Sequence, residues 1–515
     1  CKDQLEYYLI QILQKYMIAK EYCFKISSYL VLSLCLAFQG VLAARDTRMF
    51  SDPKLERAVA NQIGVPVNEL SPNIVSEKLI TFEFNDAKIT SLKGLEHANN
   101  LRNLILRNNL IKDLSPISAL PNLRRLDVSR NSLTSLNSLL TNDPQNRSNK
   151  AGTNTQGSPV DSLLVQDTST FRFLTDLNLA NNNLRGLSGI GEFLNLRSLN
   201  VSYNYLVDLD GVSRLQKLKT LHLQGNQIGI QEPFEDLNKN KIFDANEPYK
   251  DISGNGKREG NPLVELKAMS SLRSLYLYDN HILSVDEFQR LPLLDVLLLS
   301  GNKLRNLSGL QNLKNLRKLH INNNSISDLN QLGELQNLTH LSLSENRICD
   351  VREISKLKNL RELHLQFNHI SDLDSLKFLD NLEQLHLTAN SVFDISSIEN
   401  LKSLNVINVS RNFLSPDGIS RVMKTLSGRG KVQIFDSDQY DLIESQINLI
   451  DTLSSSYEMN EKFCSYLNLF GYERFSDFII SDDFTVSEKQ ELYARWDSLL
   501  SRGLDLSESG FKAPQ

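Results

Sequence analysis

Cysteine is scarce in this chain: three of its five (Cys1, Cys23, Cys35) fall in the first 35 of 515 residues, leaving only Cys349 and Cys464 beyond them. Two cysteines exclude a disulfide framework, and one bridge or two free buried thiols remain open. An excess of charge is missing as well. With 56 basic against 61 acidic residues, and lysine and arginine scattered along the chain, no field invites nucleic acid or an anionic membrane. Catalytic signatures are also absent: there is no G-x-S-x-G, H-E-x-x-H or G-x-x-x-x-G-K-[ST], and Ser427-Gly-Arg-Gly-Lys431 lacks the spacing of the last. The chain therefore reads as non-enzymatic.

Long apolar runs are rare too, and the run from Tyr29 to Phe38 (YLVLSLCLAF) is shorter than the ~20 residues of a spanning helix. Lys20 and Lys25 precede it, small residues close it near Ala43 and Ala44, and the first methionine is Met17. Residues 1–44 are expected to be a non-native leader followed by a secretory signal peptide, with no membrane span in the mature chain. Their removal leaves 52 basic against 58 acidic residues, a charge of -6.

What the chain has in abundance is one pattern. L-x-x-L-x-L-x-x-N-x-[LI] recurs thirteen times between Leu79 and Leu414, with Ala87 in place of the first asparagine and Asn109, Asn131 and Asn182 through Asn412 in the others. Nearly every step is 22 residues, the period of a leucine-rich repeat, in which each unit buries its apolar face only against its neighbours. The predicted fold is an α/β solenoid: a curved array of short parallel strands. In Leu319-His320-Ile321 the alternation sends leucine and isoleucine inward and His320 to the concave face. Asn324 sits where the chain turns and can satisfy backbone groups inside the stack. Thirteen strands spaced ~4.8 Å apart make a sheet about 60 Å long, a surface suited to a macromolecule.

A solenoid needs its ends closed. Residues 45–78 are predicted as a helical N-terminal cap, opening at Ser51-Asp52-Pro53 with Leu55, Val59 and Ile63 on one face. The repeat domain spans 79–435, with Val432-Gln-Ile-Phe435 as a last edge strand and polar insertions at about 137–170 and 231–262. Residues 436–515 are predicted as a helical module, with Thr485-x-x-Glu488 as a capping box. The 22-residue consensus, the Asp-Pro cap and the phrase Ile89-Thr-Ser-Leu92-Lys-Gly-Leu95 resemble bacterial internalin-like leucine-rich-repeat proteins over roughly residues 50–435. The resemblance implies a secreted or surface protein that binds other proteins through its concave face.

The second insertion is an internal duplication, in which Glu232-Pro-Phe-Glu-Asp236 recurs as Glu247-Pro-Tyr-Lys-Asp251. Asp236, Asn238, Asn240, the Ile242 carbonyl, Asp244 and Glu247 take positions 1, 3, 5, 7, 9 and 12 of an EF-hand-type loop, oxygen ligands of the kind calcium prefers. Asp251, Ser253, Asn255, the Lys257 carbonyl and Glu259 form a second set, with Gly256 at the turn. Lys241 replaces the turn glycine of the first copy and Pro262 the closing glutamate of the second. The tandem resembles the calcium-bearing EPFxDxNxNG repeats of bacterial surface proteins, and it is expected to bind Ca2+ weakly and structurally.

Reading the position between the two strand leucines of every repeat gives the concave column, from Glu83 and Ile105 through to His386 and Asn408. Its later part gathers histidines and aromatics, and a partner is expected on Tyr203, His222, Tyr276, Tyr278, Leu298, His320, His340, His364, Phe367 and His386. The partner is expected to be a protein, with a glycan stacked on Tyr203, Tyr276 and Tyr278 as the alternative.

Overall fold

A computed structural model describes residues 48–139, 171–230, 235, 237, 247–250, 261–427 and 433–435. The predicted signal peptide, most of both insertions and the C-terminal module lie outside the described residues.

Each repeat forms one three-residue strand, from β1 (Thr81–Glu83) to β13 (Val406–Asn408), and β14 (Gln433–Phe435) adds the expected edge strand. All fourteen pair in parallel in sequence order. The register is unbroken, so that Leu319, Leu341, Leu363 and Leu385 stack as one buried column. The central residue of every strand from β1 to β13 is at most 2% exposed, while its neighbours face the concave side. This is the period-2 alternation of a strand applied to a single turn of chain.

Why the asparagine recurs is visible in its bonds. Asn368 Nδ2 donates to the carbonyls of Leu343, Leu365 and Gln366, and its Oδ1 accepts from Ile348 N–H at 3.0 Å. Each ladder residue thus serves its own turn and the repeat before it. The ladder continues across both insertions, with Asn182 Oδ1 accepting from Leu133 N–H and Asn280 Oδ1 from Ile228 N–H. Ala87 breaks the pattern for the same reason: the first repeat has no predecessor to serve. The cap acts there instead, Lys54 Nζ donating to the Ala87 carbonyl and Asp52 Oδ2 accepting from Thr90 N–H.

The N-terminal cap contains α1 (Pro53–Ile63) and α2 (Pro72–Lys78). Asp52 caps α1 by accepting from Lys54 N–H, and Leu55 and Val59 are buried on its inner face as expected. One boundary and one element differ from the expectation. Residues 137–139, assigned there to the first insertion, belong to the repeat: they form a 3-10 turn with Leu139 buried and Ser138 Oγ accepting from Leu114 N–H. A helix that was not anticipated, α3 (Pro416–Ser427), follows the last repeat, with Ile419, Val422 and Leu426 packed on the core. No helix among the described residues is long and apolar enough to cross a membrane.

Candidate functional site

The strand register carries the central column in the predicted order. His222 pairs with Tyr276, Tyr276 with Leu298, Leu298 with His320, Ser342 with His364 and His364 with His386. Parallel strands place identical positions one above another, so neighbouring rings stack. His222 and Tyr276 have centroids 4.2 Å apart at 9°, and His364 and His386 lie 4.5 Å apart at 5°. Ser342 interrupts the series, its hydroxyl donating to Asn322 Oδ1 at 2.6 Å. His340 lies one column over, 3.7 Å from Glu362.

Tyr203, Tyr278 and Gln224 form a second group. The Tyr278 phenol is pushed up to about 12, first by burial and then by the Tyr203 hydroxyl with which it shares a hydrogen bond. Tyr203 and Phe367 both occupy the left-handed turn that precedes the ladder asparagine, with φ 54 and 56. As residues they are 46% and 40% exposed, the most open of the predicted contacts. Of the ten predicted partner residues, four form the two ring stacks and Tyr203 and Tyr278 the phenol cluster, Leu298 and His320 continue the central column, His340 lies beside it and Phe367 stands apart at the turn.

Four histidines of the central column are shifted toward the neutral form. Burial lowers His222; burial lowers His364 against the opposing pull of Glu362; and burial, then the neighbouring His364, lowers His386. His320 is pushed down to about 4 by burial, then by Lys318, His364 and His340. Unfolded histidine takes up its proton near 6.5, so between 6.5 and about 4 the unfolded chain binds more protons and stability falls as the pH drops. Replacing His320 with glutamine is expected to remove roughly 1–2 kcal/mol of that loss, after allowing for the half-exposed ring. Urea melts at pH 7 and pH 4.5 check this; an identical acid-induced loss in both proteins would contradict it.

Of the predicted calcium ligands only Glu247 lies among the described residues. It is 6% exposed, and its Oε1 accepts from Leu237 N–H at 2.9 Å. Glu235 N–H donates to the Pro248 carbonyl at 2.9 Å, joining the two copies of the duplicated segment. Asp236, Asn238, Asn240, Ile242, Asp244, Asp251, Ser253, Asn255, Lys257 and Glu259 lie outside the described residues. Among the described residues no group of three or more His, Cys, Asp or Glu is placed to hold a metal.

The structure adds a feature the sequence reading passed over. Towards the N-terminal end, the concave face sinks into an open basin of about 580 Å³ bordered by residues from Asn85 to Gln224. Asp127 lies on the sheet there, 1% exposed, bonded by Arg107 Nε at 2.8 Å and Asn178 Nδ2 at 3.0 Å. Burial raises its pKa, but the bonds from Ser129, Arg107 and Asn178 outweigh that and hold it below the usual carboxylate value. The signal lay in the two positions after each strand leucine, which follow the same 22-residue step.

Comparison with known proteins agrees with this architecture. A family model described as leucine-rich repeats in two copies matches residues 99–141, 314–356, 336–378 and 358–393. No curated protein matches by sequence. Among solved structures, an internalin (InlF) of Listeria monocytogenes aligns with 20% identity over 77% of this chain and 93% of its own, with a TM-score of 0.53. A leucine-rich-repeat protein of Leptospira interrogans aligns with 23% identity over 70% of this chain and 85% of its own, with a TM-score of 0.51. With its single parallel sheet, continuous asparagine ladder and matched repeats, the chain is a leucine-rich-repeat solenoid.

Proposed function

We propose that this chain is a secreted or surface-exposed, non-enzymatic binding protein that holds a protein partner on the concave face between about Tyr203 and His386. The observation that carries this is the alignment of neutral, half-buried rings in register along rigid strands. Such rings offer apolar faces and polar edges and lose little side-chain entropy on binding, as favoured contact residues do. Export is supported by the apolar run at Tyr29–Phe38 and the small residues after it.

The test is affinity capture from a surface-protein extract by the full chain, followed by titration with the purified partner. Replacing Tyr276, His320, His364 and His386 together with alanine is expected to weaken that complex about thirtyfold, roughly 2 kcal/mol. Far-UV dichroism should stay unchanged, because none of the four enters the core column. An affinity equal to wild type rules out this face.

The duplicated loop is proposed to bind calcium, which stabilises the insertion without touching the partner. Its support is the in-phase oxygen series of the sequence and the backbone bond joining the copies at Glu235 and Pro248. Chelator is expected to lower the melting temperature by a few degrees, about 1 kcal/mol, and calcium to give a heat in calorimetry. Neither signal in the wild type would sink the idea.

A further inference from the structure

We infer that the basin at the N-terminal end of the concave face is a binding site for a neutral saccharide. This goes beyond the protein-partner reading and shares only Tyr203, at the edge of that face, with it.

The volume, about 580 Å³, is that of a small-ligand site. The lining is unusual for such a site. It consists almost wholly of amides, hydroxyls and charged groups, with Ala180 as its aliphatic member and the Tyr203 ring as its aromatic one. A protein hot spot needs an apolar pocket, and this lining does not provide one. A polyol needs the reverse: fixed donors and acceptors close together, with one flat apolar wall.

The wall is Tyr203. Its left-handed backbone lays the ring over Gly225, where a Cβ would overlap it, and the residue is 46% exposed. The polar groups beside it are held in place and incompletely used. Asn200 Oδ1 accepts from Ser202 N–H at 3.1 Å and Ser202 Oγ at 2.7 Å, which fixes the amide while its Nδ2 has no bond within the described residues. Gln224 is 8% exposed, and its Oε1 has no partner among the described residues. An unsatisfied buried acceptor costs ~1–3 kcal/mol and calls for an explanation; a ligand hydroxyl supplies one. Because each sugar hydroxyl both donates and accepts, it suits an Nδ2 donor and an Oε1 acceptor on neighbouring strands.

Charge decides between neutral and anionic sugars. Arg107 is bonded to Asp127, and the exposed Arg130 shares the lining with Asp86, which accepts from Asn108. With two cations against two carboxylates, the basin has no surplus positive charge for sulfate or uronate.

The experiment is calorimetry and saturation-transfer NMR on the full chain with cellotriose, chitotriose and lactose, alongside a heparin hexasaccharide. At least one neutral sugar is expected to bind, with an affinity unchanged by a roughly tenfold rise in salt. Gln224→Met and Tyr203→Leu should each weaken that binding about tenfold, whereas His386→Ala should leave it unaltered. Asn181→Ala removes an exposed lining amide that has no side-chain bond among the described residues, and it is expected to weaken binding severalfold even if a Gln224 variant proves unstable. The proposal is overturned if no neutral sugar binds, if only the heparin fragment binds and salt abolishes it, if only peptides occupy the basin, or if binding survives the basin substitutions.

Discussion

Replacing Asn368 with alanine is expected to destabilise the repeat array by about 3–5 kcal/mol, one of the largest effects available from a single side chain here. Asn368 is 1% exposed and makes four backbone bonds across two repeats. Alanine strands the Ile348 N–H and at least one carbonyl in the core, each at ~1–3 kcal/mol, and leaves a cavity as well. Because each repeat contacts mainly its neighbours, the damage should be local. Amide exchange at Ile348 and Leu365 should accelerate together, while the Leu104 region keeps its protection. Asn324 bridges the same kinds of group but is only partly buried, so Asn324→Ala should cost less. A loss below about 1 kcal/mol for Asn368→Ala would show that water replaces the amide and that the ladder is dispensable.

That prediction rests on a feature that could be read from the sequence alone. A fixed step of 22 places every strand leucine, every ladder asparagine and every central concave residue, because in a solenoid position within the repeat determines position in space. The substitution at Ala87 was visible too, although its meaning needed the bonds from Asp52 and Lys54. Other features depend on contacts the period does not encode. After Leu414 the chain continues as α3, with Ser415 Oγ accepting from Gly418 N–H, because Ile419, Val422 and Leu426 find the open end of the core. Asp127 looks like one more solvent-facing strand residue; its burial follows from Arg107 and Asn178 on adjoining repeats. For the same reason the sequence placed the binding surface on the rings and missed the basin, whose amides become a site only when three columns of side chains meet.

The two surfaces would divide the concave face by chemistry. Towards the C-terminal end the column is ring-rich, with stacked histidines that burial keeps neutral at pH 7. Towards the N-terminal end it is amide-rich and charge-balanced. Tyr203 and Gln224 lie at the junction, where the phenol cluster connects them to Tyr278. Both surfaces depend on the sheet staying rigid to its ends, and at the N-terminal end that depends on a glycine.

Gly94→Ala is expected to cost about 3–5 kcal/mol through two effects that act together. Gly94 has φ 110, a conformation that disfavours any side chain, and a Cβ there would lie 2.5 Å from Phe50 Cδ1 and 2.7 Å from the Met49 carbonyl. Phe50 is fully buried and closes the cap over the first repeat, so the methyl group must displace the seal. Gly64 separates the two effects. It ends α1 at φ 71, and a Cβ added there would meet nothing within 4 Å, so Gly64→Ala should show backbone strain alone, about 1 kcal/mol. The difference between the two variants in urea melts measures the Phe50 seal. Loosening it should expose the edge of β1, and Gly94→Ala should therefore self-associate with rising concentration in sedimentation velocity while Gly64→Ala stays unchanged. Equal destabilisation by both substitutions would mean that Phe50 moves aside at no cost and that the cap is held by the Asp52 and Lys54 bonds instead.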